Sequence, residues 1–131
     1  MKNRTRVYFF IEGFPMLPEE LTKMLECEPS KTRKIGDILV SPKHPARQNS
    51  WEIKSELPES ESLENHIEEI INKIRPNIES FIKICNQYQS GLLCAIDIYD
   101  RKEPPLYFDE KIISFLGKLN ASLDIDQYLM D

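Results

Sequence analysis

The chain has 131 residues and a mass of 15.4 kDa, a length that suits one domain with a proper core and is short for two. Apolar residues make up 40% and charged residues 30%, which excludes the disordered, fibrous and collagen-like classes. The net charge of −5, from 17 basic and 22 acidic side chains, argues against general nucleic-acid binding, and no apolar run reaches the roughly 20 residues of a membrane span.

The first strand is expected at Arg6-Val7-Tyr8-Phe9-Phe10-Ile11-Glu12, with bulky residues on both faces and therefore a central place in a sheet. Gly13 and Pro15 stop it. Pro18, Glu19 and Glu20 open a helix, because proline costs nothing in the first turn and glutamates favour the positive end of the dipole. Leu17, Leu21, Met24 and Leu25 form its apolar stripe, and Pro29 ends it. Ile35, Ile38, Leu39 and Val40 predict a short strand closed by Ser41-Pro42. His44 to Asn49 read as an exposed loop.

Ser50 to Leu57 alternate: Trp51, Ile53 and Leu57 face a core while Glu52, Lys54 and Glu56 face water. Ser60 or Ser62 caps the long helix that follows. Its stripe runs from Leu63 through Ile67, Ile70, Ile71, Ile74, Ile78, Phe81 and Ile82 to Cys85, and Pro76 predicts a kink or break within it. Leu92 to Tyr99 form the strongest strand. Leu106-Tyr107-Phe108 extend briefly, Asp109 caps a helix striped by Ile112, Phe115, Leu116 and Leu119, and a last strand runs from Ala121 to Tyr128. The predicted fold is α+β, a single domain over residues 1–131, with a mainly antiparallel four- or five-stranded sheet and helices packed on one face. Leu17, Leu21, Met24 and Leu25 share the spacing of Phe108, Ile112, Phe115 and Leu116, shifted by 91, which raises a ferredoxin-like duplication.

Three pieces of sequence resemble one family. Leu17-Pro18-Glu19-Glu20-Leu21-Thr22 with Leu25-Glu26-Cys27-Glu28-Pro29-Ser30-Lys31 is similar to the opening of the small bacterial proteins grouped as domain of unknown function 4279. Trp51 with Ser55-Glu56-Leu57 and Leu63-Glu64-Asn65-His66-Ile67 is similar to that family's strand-to-helix passage, and Leu119 to Asp126 with Tyr128 to its ending. Ser50 stands where the family usually has glycine or another small residue before the tryptophan. The resemblance implies no activity, so no catalytic residue is carried over.

The chemistry is sparse. His44 and His66 lie far apart, no metal-binding spacing exists, and four glycines build no phosphate loop, so no metal or cofactor is expected. His66, with Glu69 after it and Ser62 before it, reads as a general base or as a helix-surface histidine, the latter preferred. Asp97, Asp124 and Asp126 either share an acidic site or simply guard a wet sheet edge. Cys27, Cys85 and Cys94 lack any pairing motif and read as inert thiols of a reducing cytoplasm, and no charged-then-apolar leader opens the chain.

The most informative stretch is residues 30–50. Lys31, Arg33, Lys34, Lys43 and Arg47 face a single Asp37, a local +4 that leaves −9 for the rest. With Trp51 beside them they are candidate ligands for a small anion or nucleotide phosphate, in a binder or an enzyme, the alternative being a solvated loop and a core tryptophan. Duplex nucleic acid is excluded as a partner by the remaining negative charge. Glu52, Glu56, Glu59, Glu61, Glu64, Glu68 and Glu69 form an acidic counterpart. The split charge and missing catalytic signature point to a non-enzymatic cytoplasmic protein that binds another protein, in concrete form an immunity- or antitoxin-like one.

Overall fold

In the computed structural model, which describes residues 1–40 and 43–130, the elements run β1 (Arg4–Glu12), α1 (Pro18–Leu25), β2 (Lys31–Arg33), β3 (Ser50–Lys54), α2 (Leu63–Ile74), α3 (Ile78–Cys85), β4 (Gln89–Tyr99), α4 (Glu110–Lys118) and β5 (Ser122–Met130). The strands form one sheet in the order β2-β3-β1-β4-β5. All neighbours are antiparallel except β4 and β5, which are parallel and joined through α4.

The first four strands follow the ferredoxin-like βαββαβ path, with α4 and β5 added at one edge. The halves of that path are β1–α1–β2 and β3–α2/α3–β4. The 91-residue echo is therefore not the duplication: α1 leads past β3 to β2, whereas α4 leads to an immediate parallel neighbour.

Local chemistry sets the boundaries. Pro18 opens α1 with Glu19 and Glu20 in its first turn, and Glu26 closes it in the left-handed region at φ 50°. Ser62 caps α2 by accepting from Asn65 N–H at 3.2 Å. Pro76, lacking an N–H, falls in a 3₁₀ turn over Arg75–Asn77 that splits the long helix in two.

The helices cover one face of the sheet. Val7, Phe9 and Ile11 of β1, Trp51 and Ile53 of β3 and Leu92, Cys94, Ile96 and Ile98 of β4 meet Leu21, Ile67, Ile70, Ile74, Phe81 and Leu116 in one core cluster. Trp51 is fully buried; its Nε1 donates to Thr22 Oγ1 at 3.0 Å and its ring meets Phe81 edge-on at 5.9 Å. Such an aromatic pair adds about 0.5–1.5 kcal/mol beyond burial.

Among the described residues no helix covers the opposite face. Arg6, Tyr8, Phe10 and Glu12 of β1 alternate out of the core and stand beside Ala95, Leu93, Gly91 and Gln89 of β4. The two-sided apolar character of β1 and β4 thus reflects a carpet of side chains that shield one another, not a second packed layer. Phe10 needs Gly91 across from it: a Cβ there would come within 2.8 Å of the Phe10 ring and would also strike Ser122.

The segment expected to form a strand at Ile35–Val40 does not. Asp37 accepts from the Lys34 N–H at 2.9 Å and Gly36 takes φ 95°, so the chain turns, and Val40 stays 94% exposed. An isolated bridge joins Ile38 to Pro45; the expected stop at Ser41-Pro42 lies outside the described residues. The strand sits earlier, at Lys31–Arg33, paired with β3. β3 ends at Lys54, short of Leu57, while the last strand reaches Met130.

Replacing Gly91 by alanine should force the Phe10 ring off the sheet and cost about 1–3 kcal/mol, the usual penalty of overpacking. Urea unfolding of Gly91→Ala measures it, and an unchanged midpoint would show that the ring is not seated there.

Candidate functional site

The structure divides the basic segment. Lys31 and Arg33 project from β2 onto the open face, in register with Glu52 and Ser50. Arg33 and Arg47 share a cavity of about 420 Å³ with His44 and Glu12, and Lys31 and Arg33 border a second of about 570 Å³ with Asp37 and Val40. Lys34 and Lys43 are exposed and line neither cavity. Among the described residues no carboxylate comes within ion-pair distance of these five basic side chains. Trp51, buried beneath β3, offers no stacking face to a ligand.

Asn49 shapes this region and gave no signal in the sequence beyond a polar loop. It is buried; its Oδ1 accepts from Ile35 N–H at 2.8 Å, and its Nδ2 donates to the carbonyls of Phe14 and Met16 at 2.9 and 3.0 Å. One side chain thus ties the basic loop to the end of β1. Burial raises the carboxyls of Glu12 and Glu52 above their ordinary range; at Glu52 the charges of Lys31, Arg33 and Lys54 oppose that shift.

The open face carries its own electrostatic lattice. Arg6 clasps Asp97 with two hydrogen bonds, at 3.1 and 2.9 Å, and Arg4 Nε lies 3.5 Å from the same carboxylate. Arg4 also donates to the Tyr99 hydroxyl at 2.6 Å and lies over its ring, and Lys54 stands 5.7 Å from the centre of Tyr8. The hydrogen bond from Arg6 holds the Asp97 carboxyl below its ordinary range. Asp97 is therefore a neutralised ion pair and does not share an acidic site with Asp124 or Asp126: its neighbour on β5 is Tyr128, while the other two acids face Leu93 and Ala95. Among the described residues no three His, Cys, Asp or Glu side chains gather as a metal site.

His66 is not on the surface. It is 1% exposed, because Leu63 three residues before and Ile70 four after place it on the buried stripe of α2. Its Nδ1 lies 2.7 Å from Ser55 Oγ, and that hydroxyl also reaches Glu69 at 3.4 Å. Glu69 accepts from the Glu56 N–H at 2.9 Å and meets Lys73 at 3.1 Å. Burial pushes the Glu69 carboxyl up, but these donors outweigh it and hold it low. The order is imidazole, hydroxyl, carboxylate. A nucleophilic relay needs the imidazole in the middle, so the trio clasps the end of β3 to α2 rather than activating Ser55. His66 Nε2 is buried without a partner; the Pro58 carbonyl lies near, short of hydrogen-bond geometry.

The thiols are quiet. Burial pushes Cys85 up to about 11 and Cys94 to about 12, and it raises half-buried Cys27 as well.

Burial lowers the pKa of His66 below that of a free histidine, against the raising pull of Glu69, Glu61 and Glu59. The unfolded chain then binds a proton that the folded chain refuses. Stability is complete above the ordinary histidine pKa of about 6.5 and falls as pH drops below it, by at most about 1.4 kcal/mol per unit. Urea midpoints between pH 7.5 and 5 should decline in the wild type and decline less in His66→Asn; equal declines would refute the assignment.

No curated protein and no solved structure matches the chain. A family model does, over residues 3–130, and it spans β1 to β5 with the basic loop, the Ser55–His66 clasp and the open face between them. The chain belongs to the family described as a domain of unknown function, DUF4279.

Proposed function

We propose that the chain is a protein-binding module whose contact surface is the open face of the sheet. The one-sided helix layer carries this reading: it leaves Tyr8, Phe10, Leu93 and Ala95 shielded only by one another, framed by Arg4, Arg6 and Tyr99. Aromatic and arginine side chains on a flat surface are what interface centres are built from. Charge is segregated across the face, with Lys31 and Arg33 toward the β2 edge and Asp124 and Asp126 toward β5. A partner of opposite polarity is oriented by that separation. In concrete form the protein is immunity- or antitoxin-like and works in the bacterial cytoplasm.

Pull-down from the native host, with wild type and Leu93→Lys side by side, tests this. The expected result is a salt-sensitive partner lost with the variant, which keeps its circular dichroism, and cross-linked through Lys31 and Lys54. No partner at any salt, or one retained by Leu93→Lys, removes the reading.

A small-anion site is a second reading, favoured by the convergence of Arg33, Arg47 and His44 on one cavity. A nucleotide or sugar phosphate at 100 times its Kd would then stabilise the protein by about 2.7 kcal/mol. Arg33→Ala and Arg47→Ala should each abolish that thermal shift, and no shift with any anion discards the site.

A further inference from the structure

Resting on the protein-binding reading, we infer that β5 is a docking edge for an extended basic segment of another protein, which adds to the sheet as its next strand. Among the described residues β5 pairs with β4 on one side only, and its other edge meets no strand along Ser122–Met130. The opposite edge of the sheet, β2, is three residues long and far less able to template a partner. A long exposed edge is a ready hydrogen-bonding surface that proteins either guard or use.

The side chains along β5 state what fits. Asp124 and Asp126 project on the open face, exposed and without an ion-pair partner among the described residues. On the other face Leu123 is 36% and Leu129 75% exposed, more apolar surface than an edge that only repels neighbours would carry. The period of a strand is two, so an added strand with Lys or Arg at alternate positions sets its cations beside both aspartates. Its intervening apolar residues then fall beside Leu123 and Leu129.

A second copy does not fit when it pairs through the acidic stretch of β5. Antiparallel pairing of two β5 strands about Ile125 sets Asp124 opposite the copy's Asp126, and pairing about Asp126 sets that residue opposite itself. Like charges directly across a ladder destabilise it.

The test uses the full chain and three capped peptides of the length of β5: alternating lysine and valine, alternating glutamate and valine, and the lysine form with alternate backbone nitrogens methylated. Fluorescence anisotropy at low salt should show the lysine peptide binding at least about fivefold more tightly than the glutamate one. Methylation should abolish binding, because it removes the ladder hydrogen bonds. Asp124→Asn with Asp126→Asn, both at exposed positions, should weaken the lysine peptide by about fivefold. Equal affinity for the two charge forms, retention of the methylated peptide, indifference to the double variant, or no binding overturns the inference. A wild-type chain that dimerises through β5 in sedimentation also overturns it. If these peptides fail while Leu93→Lys still loses the captured partner, the edge inference falls and the open-face reading stands.

Discussion

The alternation of β1 is the constraint on which the rest of the molecule depends. As the middle strand it is paired on both sides, so it fixes the register of β3 and β4 together. Val7, Phe9 and Ile11 point into the core, where each is worth about 1.5–3 kcal/mol of apolar burial. The residues between them, Arg6, Tyr8 and Phe10, lay out the open face. A slip of one position would exchange the two sets, putting Arg6 among the helices and Phe9 in water.

Elements with a strong internal period were legible in the sequence. The stripe from Leu63 to Cys85, its interruption at Pro76 and the alternation of Trp51 and Ile53 each follow from side chains within one element. What the sequence hid depends on pairing between distant segments. The apolar run at Ile35–Val40 promised a strand, but Asp37 and Gly36 bend it, and β2 forms instead from Lys31-Thr32-Arg33 because β3 lies alongside. His66 was legible in principle, since it keeps phase with Leu63 and Ile70, yet its acidic neighbours masked a buried position. The basic side chains were visible as a cluster, but which of them converge on a cavity was not, because Asn49 sets the loop's path.

Charge on the open face is organised by what is already satisfied. Arg4 and Arg6 share the single carboxylate of Asp97 across β1 and β4, so the middle of the face is a polar lattice with one positive charge left over among the three. The flanks differ in sign, positive by β2 and negative by β5. The acids that looked like a shared chemical site thus divide into one that holds two strands together and two that remain available.

The parallel attachment of β5 also bears on how the chain assembles. The core is shared with α4, which buries Ile112 and Leu116, whereas β5 turns inward little more than Ile125 and follows β4 in the chain only through that helix. Its pairing with β4 is gained after the costly ordering of an intervening helix, without a tight hairpin to nucleate it. Among the described residues the edge strand thus takes its register from β4 alone, through a ladder of nine residue pairs, while its other side is left to solvent.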